Sequence, residues 1–165
     1  MNEVVGRATQ LVHHQMELAE IELRQSLAAG LRPMDGDAAQ IQQILVALLV
    51  NSTEAIGRKG VIEVLTEERP GGVRLILRDD GPGIPEEIRV QIFEAFFTTK
   101  ENQHRTGLGL AVAKDIVERH GGSIRVGASP SHGAEFVIDL PWQAPPEAPQ
   151  SNSFAAAGEA PCPKA

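Results

Sequence analysis

Asp79-Asp80-Gly81-Pro82-Gly83-Ile84-Pro85 closes the apolar run Val73-Arg74-Leu75-Ile76-Leu77-Arg78. Such a run predicts a strand, here ending on an acid and then two glycines one residue apart. Glycine carries no Cβ and reaches φ > 0, so Gly81 and Gly83 let another group approach the main chain. Asp79, the first residue past the strand, sits where a buried carboxylate accepts a hydrogen bond from a ligand. Taken alone the stretch reads as a turn, because aspartate, glycine and proline are also good turn residues. Its neighbours in the sequence change that reading.

Upstream, Val61 to Glu67 alternates as a second strand, joined to Val73–Arg78 as a hairpin through Glu68-Arg69-Pro70-Gly71-Gly72. Asp37 is a plausible N-cap for a helix from Ala38 to Ile56, which Gly57 stops. Val4, Val5, Ala8, Leu11, Val12 and Met16 have helical spacing between Asn2 and Ala19, and Ile21 to Gln25 alternates as a short strand. Downstream, Pro85 to Ile92 reads as one or two helical turns, and Phe93 to Thr106 as a long loop. Gly107 to His120 reads as a helix apolar around most of its circumference, and so buried. Ser123 to Gly127 and Ala134 to Leu140 are closing strands. About five strands and three main helices predict a two-layer α/β sandwich. Its sheet is mixed, mostly antiparallel, and covered on one face by helices.

The 165 residues are 42% hydrophobic, enough for one domain with a real core. A net charge of −7 argues against a general nucleic-acid surface. The single cysteine, Cys162, excludes a disulfide framework and suits a reducing cytoplasm. No apolar run approaches the ~18 residues of a membrane span. The reading is a cytoplasmic domain over 1–142, without direct membrane contact, and a tail over 143–165. Five of the eleven prolines fall in that tail among small residues, and it is predicted to be disordered.

Three further stretches carry candidate chemistry. At about 100° per residue Asn51 falls among Ile44, Leu48 and Ala55, inside the apolar stripe of its helix. There it is either a core amide bonded to neighbouring backbone or a ligand or metal contact, since a carboxamide oxygen suits Mg2+. Thr106-Gly107-Leu108-Gly109-Leu110 opens the next helix, where bare amides and glycines make an anion site. No Gly-Lys-Ser/Thr follows, so this is not a Walker loop, and the dinucleotide fingerprint lacks its third glycine. Between them, Phe93-Glu94-Ala95-Phe96-Phe97-Thr98-Thr99-Lys100 clusters aromatics that anchor a loop in the core. Lys100, His104 and Arg105 populate that loop, within reach of phosphates.

The order Asn51, Asp79-x-Gly81-x-Gly83, Phe96-Phe97-Thr98-Thr99-Lys100, Gly107-Leu108-Gly109-Leu110 resembles the N, G1, F and G2 boxes of the catalytic ATP-binding domain of sensor histidine kinases. Those domains belong to the wider family that also includes the gyrase, mismatch-repair and heat-shock-chaperone ATPases. The resemblance covers roughly Asn2 to Pro141 and implies the Bergerat α/β sandwich. It implies ATP and Mg2+ as cofactors and γ-phosphoryl transfer to a histidine on a separate dimerisation domain. A response regulator would follow downstream. Residue by residue, it implies Asn51 for Mg2+ and Asp79 for the adenine amine. Gly81, Gly83 and Ile84 would line the base pocket. Thr99 to Thr106, with Lys100 and Arg105, would form a lid, and Gly107, Leu108 and Gly109 its hinge and triphosphate contacts.

The pattern has departures. Ala47 stands where a second Asn, or the water-activating Glu of the ATPases, is common, which disfavours ATP hydrolysis as the main activity. Glu54, one turn after Asn51, is expected to face solvent or a lysine. Arg105, Ser131 and Ala134 replace a Gly, a Gly and a Thr, and Ala134 lacks a hydroxyl for the base pocket. No histidine has the phosphoacceptor pattern: His13-His14-Gln15-Met16 lies on the first helix, and His120 and His132 sit in turn-like places. The chain therefore reads as an excised catalytic domain. A stand-alone anti-sigma-factor serine kinase is the enzymatic alternative, and a degenerate, non-catalytic docking module of the same fold is the other.

Overall fold

The computed structural model describes residues 1–98 and 106–143. In chain order the elements are α1 (Asn2–Leu18), β1 (Ile21–Leu27), α2 (Ala38–Ile56), β2 (Gly60–Arg69), β3 (Gly72–Asp79), two 3-10 turns (Glu86–Ile88 and Gln91–Phe93), α3 (Gly109–Arg119), β4 (Ser123–Ala128) and β5 (Ala134–Pro141). The five strands form one sheet in the order β1-β2-β3-β5-β4. β1 runs parallel to β2 across the α2 crossover, and every other pairing is antiparallel. This is the mixed α/β sandwich that the sequence predicts.

Local chemistry sets the boundaries. The Asp37 carboxylate accepts from Ala39 N at 2.8 Å and Gln40 N at 3.3 Å, capping α2, and Gly57 at φ 75° ends it. The β2–β3 hairpin is tighter than predicted, because Arg69 pairs with Gly72. Only Pro70 and Gly71 remain as the turn, and Gly71 takes φ 84°. Pro85 to Ile92 forms no α-helix, only the two 3-10 turns.

Along β3, Val73, Leu75, Leu77 and Asp79 share the face turned to the helices, as do Ala134, Phe136, Ile138 and Leu140 on β5. They pack with Val5, Ala8 and Met16 of α1, Ile44, Leu45, Leu48 and Leu49 of α2, and Ile116 and Val117 of α3. Helix α3 is not buried all round, as its composition suggested. Ala113, Ile116 and Val117 are its buried residues, while Asp115, Glu118 and Arg119 face water. The helix lies on one side of α2 and the sheet, so a single stripe suffices.

His120, expected in a turn-like place, is buried at the end of α3. Its Nε2 accepts from Asp37 N at 3.2 Å, which puts the proton on Nδ1, and that nitrogen donates to Ile116 O at 2.8 Å. The ring thereby joins the last turn of α3 to the N-cap of α2.

Among the described residues no helix covers the opposite face of the sheet, yet Ile76 and Val137, paired across β3 and β5, are each only 6% exposed. Ion pairs flank them on the same two strands: Arg74–Asp139 and Arg78–Glu135, each at 2.6 Å. The arginine stems cover the apolar centre while their heads stay paired.

Arg74, and after it Arg125, hold the Asp139 carboxyl below its ordinary 3.8, against the opposing effect of burial. A carboxyl lowered in the folded state stabilises the fold above its unfolded value of about 4, and that contribution is lost as pH falls through the folded value. Between pH 7 and pH 3, the urea midpoint of the wild type should therefore fall further than that of Asp139→Asn.

Candidate functional site

Asp79 is the last residue of β3 and only 2% exposed. Its Oδ1 accepts from Gly81 N at 3.1 Å and Ala134 N at 3.0 Å, and its Oδ2 accepts from Ser52 Oγ at 2.8 Å. Ser131 Oγ donates to the Asp79 carbonyl oxygen at 3.2 Å. The carboxylate is thus held by α2, by the turn after β3 and by the start of β5, all through neutral donors. Gly133 packs directly on it: a Cβ there would overlap the Asp79 carbonyl oxygen and backbone.

Above this carboxylate a cleft of about 720 Å³ opens. Ala47, Asn51, Glu54 and Ala55 of α2 form one wall, Gly83, Ile84 and Ile88 a second, and Phe97, Thr98 and Thr106 to Leu110 a third. Asp79 and Gly81 do not line it. Gly81 lies between Asp79 and Ala55, where an added Cβ would be 3.1 Å from Asp79 Oδ1 and 3.5 Å from the Ala55 carbonyl carbon. Gly83 does line the cleft, at φ 75°, with the backbone of His132 and Gly133 behind it.

Asn51 is half-buried on the cleft wall, not a core amide. The buried side of α2 centres on Leu45, Leu48, Leu49, Ser52 and Thr53. The angular projection erred because α2 touches α1, the sheet and α3 at once, so the edge of its buried face is the cleft. Glu54, expected to face solvent or a lysine, also lines the cleft.

The third wall is the start of α3. Leu108 caps it with no side-chain bond, and Val112 N is bonded to Leu108 O at 2.9 Å. The amides of the first turn precede that first helical bond, so they are donors without an intrahelical partner beside the cleft. Gly107 holds φ 61°, and a Cβ on it would stand 2.7 Å from both Phe96 C and Phe97 O. Phe96 N donates to Gly107 O at 3.1 Å, so 96–97 and 107 are clamped together. Phe93 and Phe97 pack on the core as expected, but Phe96, at φ 68°, is 75% exposed. Thr99, Lys100, Arg105 and the rest of the predicted lid short of Thr106 lie outside the described residues, as does the tail from 144 onward.

Ser52 was missed by the sequence reading, which gave it no role. It supplies to Asp79 a hydroxyl that Ala134 lacks, while Ala134 contributes its backbone amide. The faint signal was a second polar residue beside Asn51 on an apolar helix.

Residues 36–144 match the family described as histidine kinase-, DNA gyrase B-, and HSP90-like ATPase. The chain belongs to that family. It is 38% identical over 141 residues to the sensor histidine kinase ZraS of Escherichia coli (strain K12), covering 86% of this chain and 30% of that protein. To the C4-dicarboxylate transport sensor protein DctB of Rhizobium meliloti it is 39% identical over 143 residues, covering 85% of this chain and 22% of that protein. The chain therefore spans less than a third of the length of these relatives. Among solved structures, the catalytic domain of histidine kinase ThkA superposes with a TM-score of 0.79 at 31% identity, over 87% of this chain and 93% of that one. A match over nearly the whole of an isolated catalytic domain fixes the fold and the family together. Among the described residues, no helix is long and apolar enough to cross a membrane.

Gly107→Ala should cost about 1–3 kcal/mol of stability, since it forces an L-residue into left-handed backbone against the Phe96–Phe97 main chain. Urea denaturation of the two proteins checks this.

Proposed function

We propose that this chain is the ATP-binding catalytic domain of a sensor histidine kinase. In this reading it binds ATP in the cleft and presents the γ-phosphoryl group to a histidine on a separate dimerisation domain. The observation that carries the reading is the buried Asp79 carboxylate, fixed by neutral donors beneath a cleft whose other end is an uncapped helix start. Burying a carboxylate is costly, and the donors to this one among the described residues, Ser52 Oγ, Gly81 N and Ala134 N, are all neutral. An anchored acceptor at one end and helix-start amides without an intrahelical partner at the other fit a ligand with an N–H donor at one end and phosphates at the other.

Adenine would lie over Gly83 and Ile84, its exocyclic amine reaching Asp79 past Gly81 and Ala55. The triphosphate would run toward Gly107, Leu108 and Gly109. No group of three or more His, Cys, Asp or Glu side chains that could hold a metal ion lies among the described residues. Among the described residues, then, the cleft offers no all-protein metal cage. It does offer the Asn51 carboxamide oxygen, which suits Mg2+ held chiefly by phosphates. Mg2+ bound there would neutralise phosphate charge. Thr99, Lys100, Arg105 and Thr106 belong to the segment that would close over the phosphates.

The acceptor imidazole is its own nucleophile. Its nitrogen bonds to Pγ as the bridging bond to the β-phosphate breaks, and ADP leaves. The work of the domain is to orient the phosphates and stabilise charge. Ala47 provides no carboxylate to activate water, which favours transfer over hydrolysis. The phosphohistidine would then donate to a response-regulator aspartate. Support for the partners comes from relatives: histidine kinase ThkA has been solved in complex with response regulator protein TrrA, and this chain matches it with a TM-score of 0.75 at 28% identity.

ATP with Mg2+ at a hundred times its Kd should stabilise the wild type by about 2.7 kcal/mol, read as a thermal shift. A docking module without a nucleotide site would show none. Asp79→Asn should weaken ATP binding by about ten- to a hundredfold, with the far-ultraviolet circular dichroism unchanged. Unchanged affinity by isothermal titration would overturn the adenine assignment.

A further inference from the structure

We infer that Ser52 is a positioning residue that determines how well the site reads the base, by fixing the plane of the Asp79 carboxylate. The inference rests on the nucleotide reading above and deepens it. A carboxylate has about four in-plane acceptor positions, two on each oxygen. At Asp79 the two backbone donors, Gly81 N and Ala134 N, both fall on Oδ1. Ser52 Oγ, at 2.8 Å, is the one donor to Oδ2 among the described residues.

The consequence is geometric. Two bonds to one oxygen, at 3.1 and 3.0 Å, restrain the group from one side of the Cβ–Cγ axis only and leave it some rotation about that axis. The Ser52 bond removes that freedom. It also uses one of the two positions on Oδ2, so one acceptor direction remains for a single N–H donor. The Ser52 side chain is well placed to hold this angle, because the residue is 0% exposed on α2 and lies between the buried Leu48, Leu49 and Thr53. The hydroxyl has no competing water at the surface, and the helix carrying it is fixed by the core.

Ser52 also ties the two ends of the cleft together. Asn51 precedes it on the same helical turn and faces the cleft. A sliding of α2 against β3 that moved Asn51 would have to break or stretch the Ser52–Asp79 bond. Base reading and phosphate placement therefore share one mechanical reference.

The test compares ATP with purine riboside 5′-triphosphate, which lacks the 6-amino group, by titration calorimetry in Mg2+. Two variants are used. Ser52→Ala removes the hydroxyl, and Ser52→Cys keeps nearly the same volume while offering only a weak donor. Each should lose about tenfold in ATP affinity and stay within about twofold of the wild type for the analogue, so that the preference for ATP collapses. Equal weakening for both nucleotides in both variants would mean that Ser52 only supports the fold, and would overturn the inference. Unchanged ATP affinity in both variants would overturn it too. If Ser52→Ala does not fold, Ser52→Cys alone decides by the same ratio. Failure of the wild type to bind either nucleotide would instead overturn the nucleotide reading itself, and this inference with it.

Discussion

A buried carboxylate without a cationic partner is among the costlier features a small domain carries, and Asp79 is one among the described residues. It is held in place by neutral donors from three separate elements. Ser52 comes from α2, Gly81 from the turn after β3, and Ala134 from the first position of β5. Each donor requires its element to be in register with β3. The β3–β5 pairing, the position of α2 on the sheet and the Gly-Pro-Gly turn are therefore all conditions on a single side chain. Gly133 adds the last condition, because any side chain there would overlap the Asp79 main chain.

The other end of the cleft depends on backbone rather than side chains. The start of α3 presents its first amides because Leu108 offers no cap. Gly107 adopts φ 61° in the space left by Phe96 and Phe97. At the far end of the same helix pair, the neutral His120 ring bridges the last turn of α3 and the N-cap of α2. The two helices thus run antiparallel, pinned at the end away from the cleft, with the cleft opening toward the other. Rigidity behind the site and open donors within it are what nucleotide binding needs.

The outer face of the sheet shows a second economy. A two-layer sandwich leaves one face uncovered, and Ile76 and Val137 lie at its centre. Paired arginines and carboxylates on β3 and β5 flank them, and both stay buried although no helix among the described residues covers this face. All the functional chemistry can then reside on the helical side.

The sequence by itself determined the element order, the limits of α2 and the family. These follow from local signals: period-two alternation, the Asp37 cap, the Gly57 stop, and the glycines near Asp79 and Gly107. Local rules act within a few residues, so they survive without a structure. Tertiary structure alone decided which polar residue of α2 meets Asp79 and which lines the cleft. Asn51 and Ser52 are adjacent, and a projection about the helix axis cannot say where α1, the sheet and α3 each end their coverage. It also decided that Asp79 lies below the cleft rather than in its wall, and that α3 buries one stripe instead of its whole circumference. The turn at Asp79 reads as a turn or a site from its own residues. Donors 27 and 55 positions away in the chain make it a buried, anchored carboxylate, because a hydrogen bond is set by proximity in space and not by spacing in sequence.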